Sequence, residues 1–203
     1  MSHYQKVQVP SERDNPKRAG YRRRTARLEV AHLIFLDETA VNTAMTRRFG
    51  RAPSGERAGE RVPRNYGEHL SFIGALSLRG VVASMTVSGA IDTLAFNAYV
   101  RQILAPCLRP GDILVLDNLN VHKASNLEQE ATRRGARVVW LPPYSPDYSP
   151  IEQCWSKIKA CLRRLKARTY EQLYEALKTA LELVTESDVR GWFNHCGYQV
   201  ASD

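Results

Sequence analysis

The chain has 203 residues, 43% of them hydrophobic and 25% charged, which is the composition of one ordinary globular domain able to bury a core. No apolar run approaches the ~20 residues of a membrane span, and the N-terminal stretch MSHYQKVQVPSERDNPKRAG has no apolar signal segment, so the protein is expected to be soluble and to act in the cytoplasm. A formal charge of +8 favours a polyanionic partner, and four cysteines without paired or zinc-type spacing (Cys107, Cys154, Cys161, Cys196) read as reduced residues of the interior.

Residues 1–30 are polar and basic with little periodicity and read as a linker or extended arm with one short helix, ahead of a folded domain over residues 31–203. Leu33 to Leu36 is a short apolar run typical of a central strand, and it ends at Asp37. Residues 42–66 are rich in Arg, Gly and Pro and form a loop of unusual length, a kind commonly functional or disordered. Ser71–Leu76 and Val81–Val87 flank a Leu-Arg-Gly turn as a hairpin. Asp92 can cap a helix carrying Phe96, Tyr99, Val100, Ile103 and Leu104 at helical spacing until Pro106 ends it.

Ile113–Leu116 is a second buried strand, closed by Asp117. A helix near Lys123–Arg134 stops at Gly135, and Arg137–Trp140 gives another strand before a proline-rich turn. With Ser149 as N-cap and Pro150 at the first helical position, Ile151, Trp155, Ile158, Leu162 and Leu165 make one apolar face. A further helix starts after Thr169, with Gln172 completing a capping box, and a short one around Ser187–His195 closes the chain. This order describes a mixed sheet flanked by helices, an α/β class in which ligands gather at the carboxyl ends of strands.

Positive charge is gathered in three patches, at residues 17–27, 47–64 and 157–168. Each alone reads as solvated surface; together they point to nucleic acid. The candidate DNA contacts are Arg47, Arg48, Arg51 and Arg57 in the long loop and Lys157, Lys159, Arg163 and Arg164 on the helix after Pro150. Tyr144 and Tyr148 in the proline-rich turn are exposed candidates for the same role, whereas Trp155 and Trp192 read as core.

Three acids carry the chemistry: Asp37 after LIFL, Asp117 after DILVL and Glu152 at the start of a helix, with 34 residues between the last two. Two-metal phosphodiester cleavage needs carboxylates that hold two hard cations a few ångströms apart, and two Asp with one Glu suffice. Taken singly, both aspartates could merely stop strands, and Glu152 could be the third member of a Ser149-x-x-Glu152 capping box. Asn118 and His122 are second-tier candidates near the site.

With these segments the chain resembles the DDE transposases, in the superfamily that joins mariner elements to bacterial insertion sequences of the six-thirty type. The resemblance rests on LIFLDET, on LVLDN with His122 following, and on LPPYSPDYSPIEQ with its 34-residue spacing, and it runs from about residue 30 to WFNHCGY. It implies a ribonuclease-H-like fold, Mg²⁺ or Mn²⁺ as cofactor with two ions per site, and DNA cleavage followed by strand transfer. By position Asp37 would bridge the ions, Asp117 would bind one and Glu152 would complete the site.

Ala40 stands where members usually have Gly after DET, and Ser149 where they have Asn before PIE; both changes leave the acids in place. The resemblance further implies element ends and target DNA as partners, a homodimer on DNA, end recognition by a helix-turn-helix in a separate chain or domain, and a bacterial, nucleoid-associated setting. The competing expectation is a catalytically silent remnant that binds DNA or a transposase as an inhibitor; a general nuclease or resolvase is disfavoured by PYSPDYSPIEQ.

Overall fold

β1 (Leu33–Val41) forms the centre of a five-stranded sheet in a computed structural model that describes residues 13–59, 61–63, 69–118 and 126–200. The other strands are β2 (Leu70–Ser77), β3 (Gly80–Ser88), β4 (Ile113–Leu116) and β5 (Arg137–Trp140), in the order β3-β2-β1-β4-β5. β1 pairs antiparallel with β2 and parallel with β4, and β4 pairs parallel with β5. Three strands therefore run the same way, and their carboxyl ends open on one edge of the molecule.

Both faces of the sheet are covered, which is why LIFL and ILVL are continuous apolar runs rather than alternating ones. Leu33, Phe35, Leu70, Phe72, Ile113 and Val115 point to one core, and Ile34, Leu36, Ile73, Leu114 and Leu116 to the other. Such fully buried side chains contribute about 1.5–3 kcal/mol each. Against the second core lies α2 (Thr93–Tyr99), which Asp92 caps by accepting from the Ala95 N–H (2.8 Å). It runs on through a π-turn (Val100–Leu104) and a 3₁₀ turn that takes in Pro106, so the proline tightens the helix end instead of cutting it. α3 (Leu127–Arg133) packs beside it.

The first core is covered by α4 (Pro150–Leu165), α5 (Tyr170–Glu182) and α6 (Glu186–His195). Thr169 accepts from the Gln172 N–H, but Gln172 Oε1 accepts from the Arg168 N–H, so only half of the expected capping box forms there. A complete one, Thr185 with Asp188, starts α6. All four cysteines carry free thiols; Cys154, Cys161 and Cys196 are buried and Cys107 partly so.

Two expectations need correction. β1 does not end at Asp37: it continues to Val41 because β2 supplies antiparallel partners as far as Val41↔Leu70, whereas the pairing with β4 stops at Phe35↔Val115. Within the basic segment read as an arm, residues 15–25 form α1 (Asn15–Thr25), which is packed on the domain. Tyr21 is buried, stacks on Tyr148 (5.5 Å, 9°), and its hydroxyl lies 2.9 Å from that of Tyr198.

Arg18 is also buried and donates to Ser145 Oγ (2.6 Å) and to both oxygens of Asp147 (3.0 and 2.5 Å), while its guanidinium lies over the Tyr148 ring. Arg18 and Arg22, expected in a nucleic-acid patch, thus clamp the proline-rich turn. Hydrogen bonds to charged groups are worth about 1.5–3 kcal/mol, so Arg18→Met is expected to lower unfolding stability by roughly 2 kcal/mol, read as a lower urea midpoint at unchanged slope. An unchanged midpoint would mean that Tyr21 alone docks the helix.

Candidate active site

Asp37, Asp117, Asn118 and Glu152 line one cleft of about 470 Å³ at the carboxyl ends of the parallel strands. The local reason is strand length. β4 ends at Leu116, one residue before Asp117, and the last parallel pair of β1 with β4 lies two residues before Asp37, so both aspartates emerge where the parallel ladder has stopped. The opposite wall is the proline-rich segment from Leu141 to Ser149, which delivers Glu152 in the first turn of α4. A carboxylate there is favoured by the helix N-terminus. Ser149 is the N-cap by position, but its side chain makes no capping bond, so the Ser149-x-x-Glu152 box does not form.

The electrostatics tie the acids together. Burial, with Glu152 and Asp117 adding like charge, pushes the Asp37 carboxyl up to about 7 against the hydrogen bonds it accepts from the Glu38 backbone and from Trp155. Glu152 is raised by burial and by Asp117, with Lys159 opposing. Mutual repulsion among three carboxylates is the field that a divalent cation relieves, and the donors are all hard oxygens of the kind Mg²⁺ and Mn²⁺ take. Among the described residues no three His, Cys, Asp or Glu side chains are drawn tightly enough to hold an ion by themselves.

The Asp37 carboxylate also accepts from Trp155, whose indole Nε1–H donates to Oδ2 at 2.9 Å. Sequence reasoning placed Trp155 in the core, where it is, but missed this contact; the available signal was an indole one helical turn after Glu152.

A sequence profile of the DDE superfamily endonucleases matches residues 32–174, most of the chain and all three acids. The chain belongs to the DDE superfamily endonucleases. No curated protein matches it. Among solved structures, a pre-cleavage Mos1 transpososome aligns with a TM-score of 0.76 at 14% identity, over 98% of this chain and 65% of that one. The Mos1 mariner paired end complex with Mn aligns at 0.73 and 15%, over 98% and 63%. The catalytic domain of Mos1 mariner transposase aligns at 0.66 and 13%, over 96% and 94%. The chain thus spans about two thirds of the Mos1 chains in those complexes and nearly the whole of the catalytic domain, and it shares the ribonuclease-H-like fold.

On this DDE endonuclease the remaining candidates separate. Arg47, Arg48, Arg51 and Arg57 are exposed on the irregular loop after β1, whose start is held by Arg168 donating to the carbonyls of Thr43 (2.8 Å) and Met45 (3.0 Å). Lys159 acts electrostatically on Glu152, whereas Lys157, three residues after Cys154, is paired with Asp188 of α6 and faces away from that role. Arg163 is half-buried and Arg164 exposed.

Asn118 lies on the cleft, but its amide donates to the Leu141 carbonyl (3.4 Å), which pins the end of β4 to the wall. His122 lies outside the described residues. Tyr144 is exposed on the rim in a left-handed backbone conformation (φ 52°). Tyr148, expected to be exposed, is buried because α1 covers it.

Proposed function

We propose that this chain is the catalytic domain of a DNA transposase of the type shared by mariner elements and six-thirty insertion sequences, cutting a DNA strand and joining the freed 3′ hydroxyl to target DNA. The observation that carries the reading is the convergence of Asp37, Asp117 and Glu152 on one open cleft with Asp37 raised to about 7 by burial and the other acids. Two divalent ions bound there, Mg²⁺ or Mn²⁺, would activate the attacking oxygen and steady the leaving one. Asp37 from β1, Asp117 from just past β4 and Glu152 from the first turn of α4 would hold them. The cleft is open on the side of Tyr144, which leaves room for an extended phosphodiester.

The exposed arginines of the 42–59 segment, with Lys159 and Arg164 on α4, are the proposed DNA contacts, and element ends with target DNA the proposed partners. The aligned Mos1 structures include a transpososome and paired end complexes, which supports DNA binding. A homodimer on DNA, with end recognition by a helix-turn-helix in a separate chain or domain, is proposed from the family resemblance alone. No helix among the described residues is long and apolar enough to cross a membrane, and the proposed setting is the bacterial cytoplasm, on the nucleoid.

A silent remnant would have no reason to keep three acids on one cleft. The test is an anomalous-scattering map from a Mn²⁺-soaked crystal. A peak between Asp37, Asp117 and Glu152 is the expected result. Manganese bound elsewhere, with these acids bare at saturating Mn²⁺ and bound DNA, would sink the reading.

A further inference from the structure

We infer that Trp155 is a positioning residue for the metal centre, its indole N–H fixing the Asp37 carboxylate and, through α4, the spacing between Asp37 and Glu152. The inference rests on the two-ion reading of the site and deepens it.

The geometry is built from three elements. Trp155 follows Glu152 by three residues on α4, so both project from one side of the helix, a turn apart. Its Nε1–H spans from α4 to Oδ2 of Asp37 on β1 at 2.9 Å. One hydrogen bond thus ties the helix that carries one acid to the strand that carries another.

The ring has little freedom to move off this bond. It is 2% exposed and meets the edge of Phe72 (5.2 Å, 72°). Beneath it lies Gly74, the β2 partner of Asp37, and a Cβ at Gly74 would come within 2.6 Å of Trp155 Cη2. The cross-strand neighbour of the central acid is a glycine because the indole occupies the space its side chain would take.

A core tryptophan needs some acceptor for its N–H, and any backbone carbonyl would serve a purely structural role. Here the acceptor is a carboxylate of the candidate centre. An indole donates and cannot accept, so it engages one oxygen of Asp37; the Glu38 N–H takes a further acceptor position and the others stay directed elsewhere, the arrangement by which outer groups orient metal ligands.

The test compares the wild-type chain with Trp155→Phe, which keeps an aromatic ring without the donor, and Gly74→Ala, which keeps the indole but displaces it. The probe is Mn²⁺ alone, followed by its free-ion electron paramagnetic resonance signal and by broadening of the three tryptophan indole resonances in ¹⁵N spectra. In the wild type, Mn²⁺ is expected to broaden the Trp155 indole ahead of Trp140 and Trp192, and Asp117→Asn is expected to abolish this.

Both test variants should bind Mn²⁺ about 10–100-fold more weakly, the usual cost of losing an outer partner. Nicking should show a lower kcat at fixed Mn²⁺, partly restored by raising Mn²⁺, with KM for DNA unchanged. If either variant, folded by circular dichroism, binds Mn²⁺ within twofold of the wild type, Trp155 is packing and the inference is overturned. If wild-type Mn²⁺ binding does not depend on Asp117, the metal-centre reading itself fails and takes the inference with it.

Discussion

Replacing Asp117 by Asn is expected to abolish metal-dependent DNA nicking while leaving DNA affinity and its salt dependence in place. Asp117 sits one residue past β4 on the floor of the cleft, and the amide keeps the shape of the side chain while removing the charge that a cation needs. Loss of a direct ligand should cost more than the roughly 10–100-fold of an outer-shell change. Arg47, Arg48 and Arg51 do not line the cleft.

Neutralising Arg47, Arg48 and Arg51 together should do the reverse, preserving Mn²⁺ binding but flattening the log–log salt slope by about 2–3, at ~0.9 for each phosphate left without its cation. Nicking of supercoiled plasmid and DNA binding across a salt series measure both. Equal nicking by Asp117→Asn and wild type would place the activity at another site.

The second large effect is a gain. Asp37→Asn should raise the thermal stability of the metal-free protein near neutral pH. The folded carboxyl is raised to about 7 from an ordinary value of 3.8, first by burial and then by Glu152, so the native state holds a proton that the unfolded chain has released. Stability from this group is therefore complete at acid pH and is lost as pH rises from about 4 through about 7.

Because the cleft admits solvent to Asp37, the penalty at pH 7.5 is discounted to about 1–2 kcal/mol, or roughly 3–6 °C for a domain of this size. Asn can still accept the Trp155 hydrogen bond, so packing is kept. Melting in EDTA from pH 4 to 8 should show the two proteins converging in acid, separating progressively between about pH 4 and 7 and running parallel above that, and Mn²⁺ should then stabilise the wild type alone. A constant offset across that range would mean that the substitution acts through packing.

Much of the fold can be read from local pattern. β4 and β5 begin and end where the sequence places them, because each is a short apolar run bounded by turn residues. The hairpin is equally plain, with Gly80 in the left-handed region (φ 97°) at its turn. The three acids that line the cleft stand out in the sequence because two follow buried apolar runs and one follows a proline-rich turn. What escapes is everything that depends on partners far along the chain.

α1 has no apolar stripe, and its docking rests on Tyr21 with the buried Arg18 and the exposed Arg22, so its sequence looks like a solvated arm. Burial of Tyr148 follows from that docking and is hidden with it. The Trp155 contact joins residues 118 positions apart. The role of Gly74 needs the β1–β2 register before it can be seen at all.

The topology also sets an order of assembly. β2 and β3 are joined by a tight turn and can pair as soon as they exist, but the parallel neighbour of β1 and the helix bearing Glu152 come from much later in the chain. Local pairings form early, and those across long loops form late. During synthesis, Asp37 is therefore made long before the indole that holds it and the acid that faces it. A nascent chain carries an incomplete cleft until α4 has left the ribosome and packed, so the three acids come together only in the nearly finished domain.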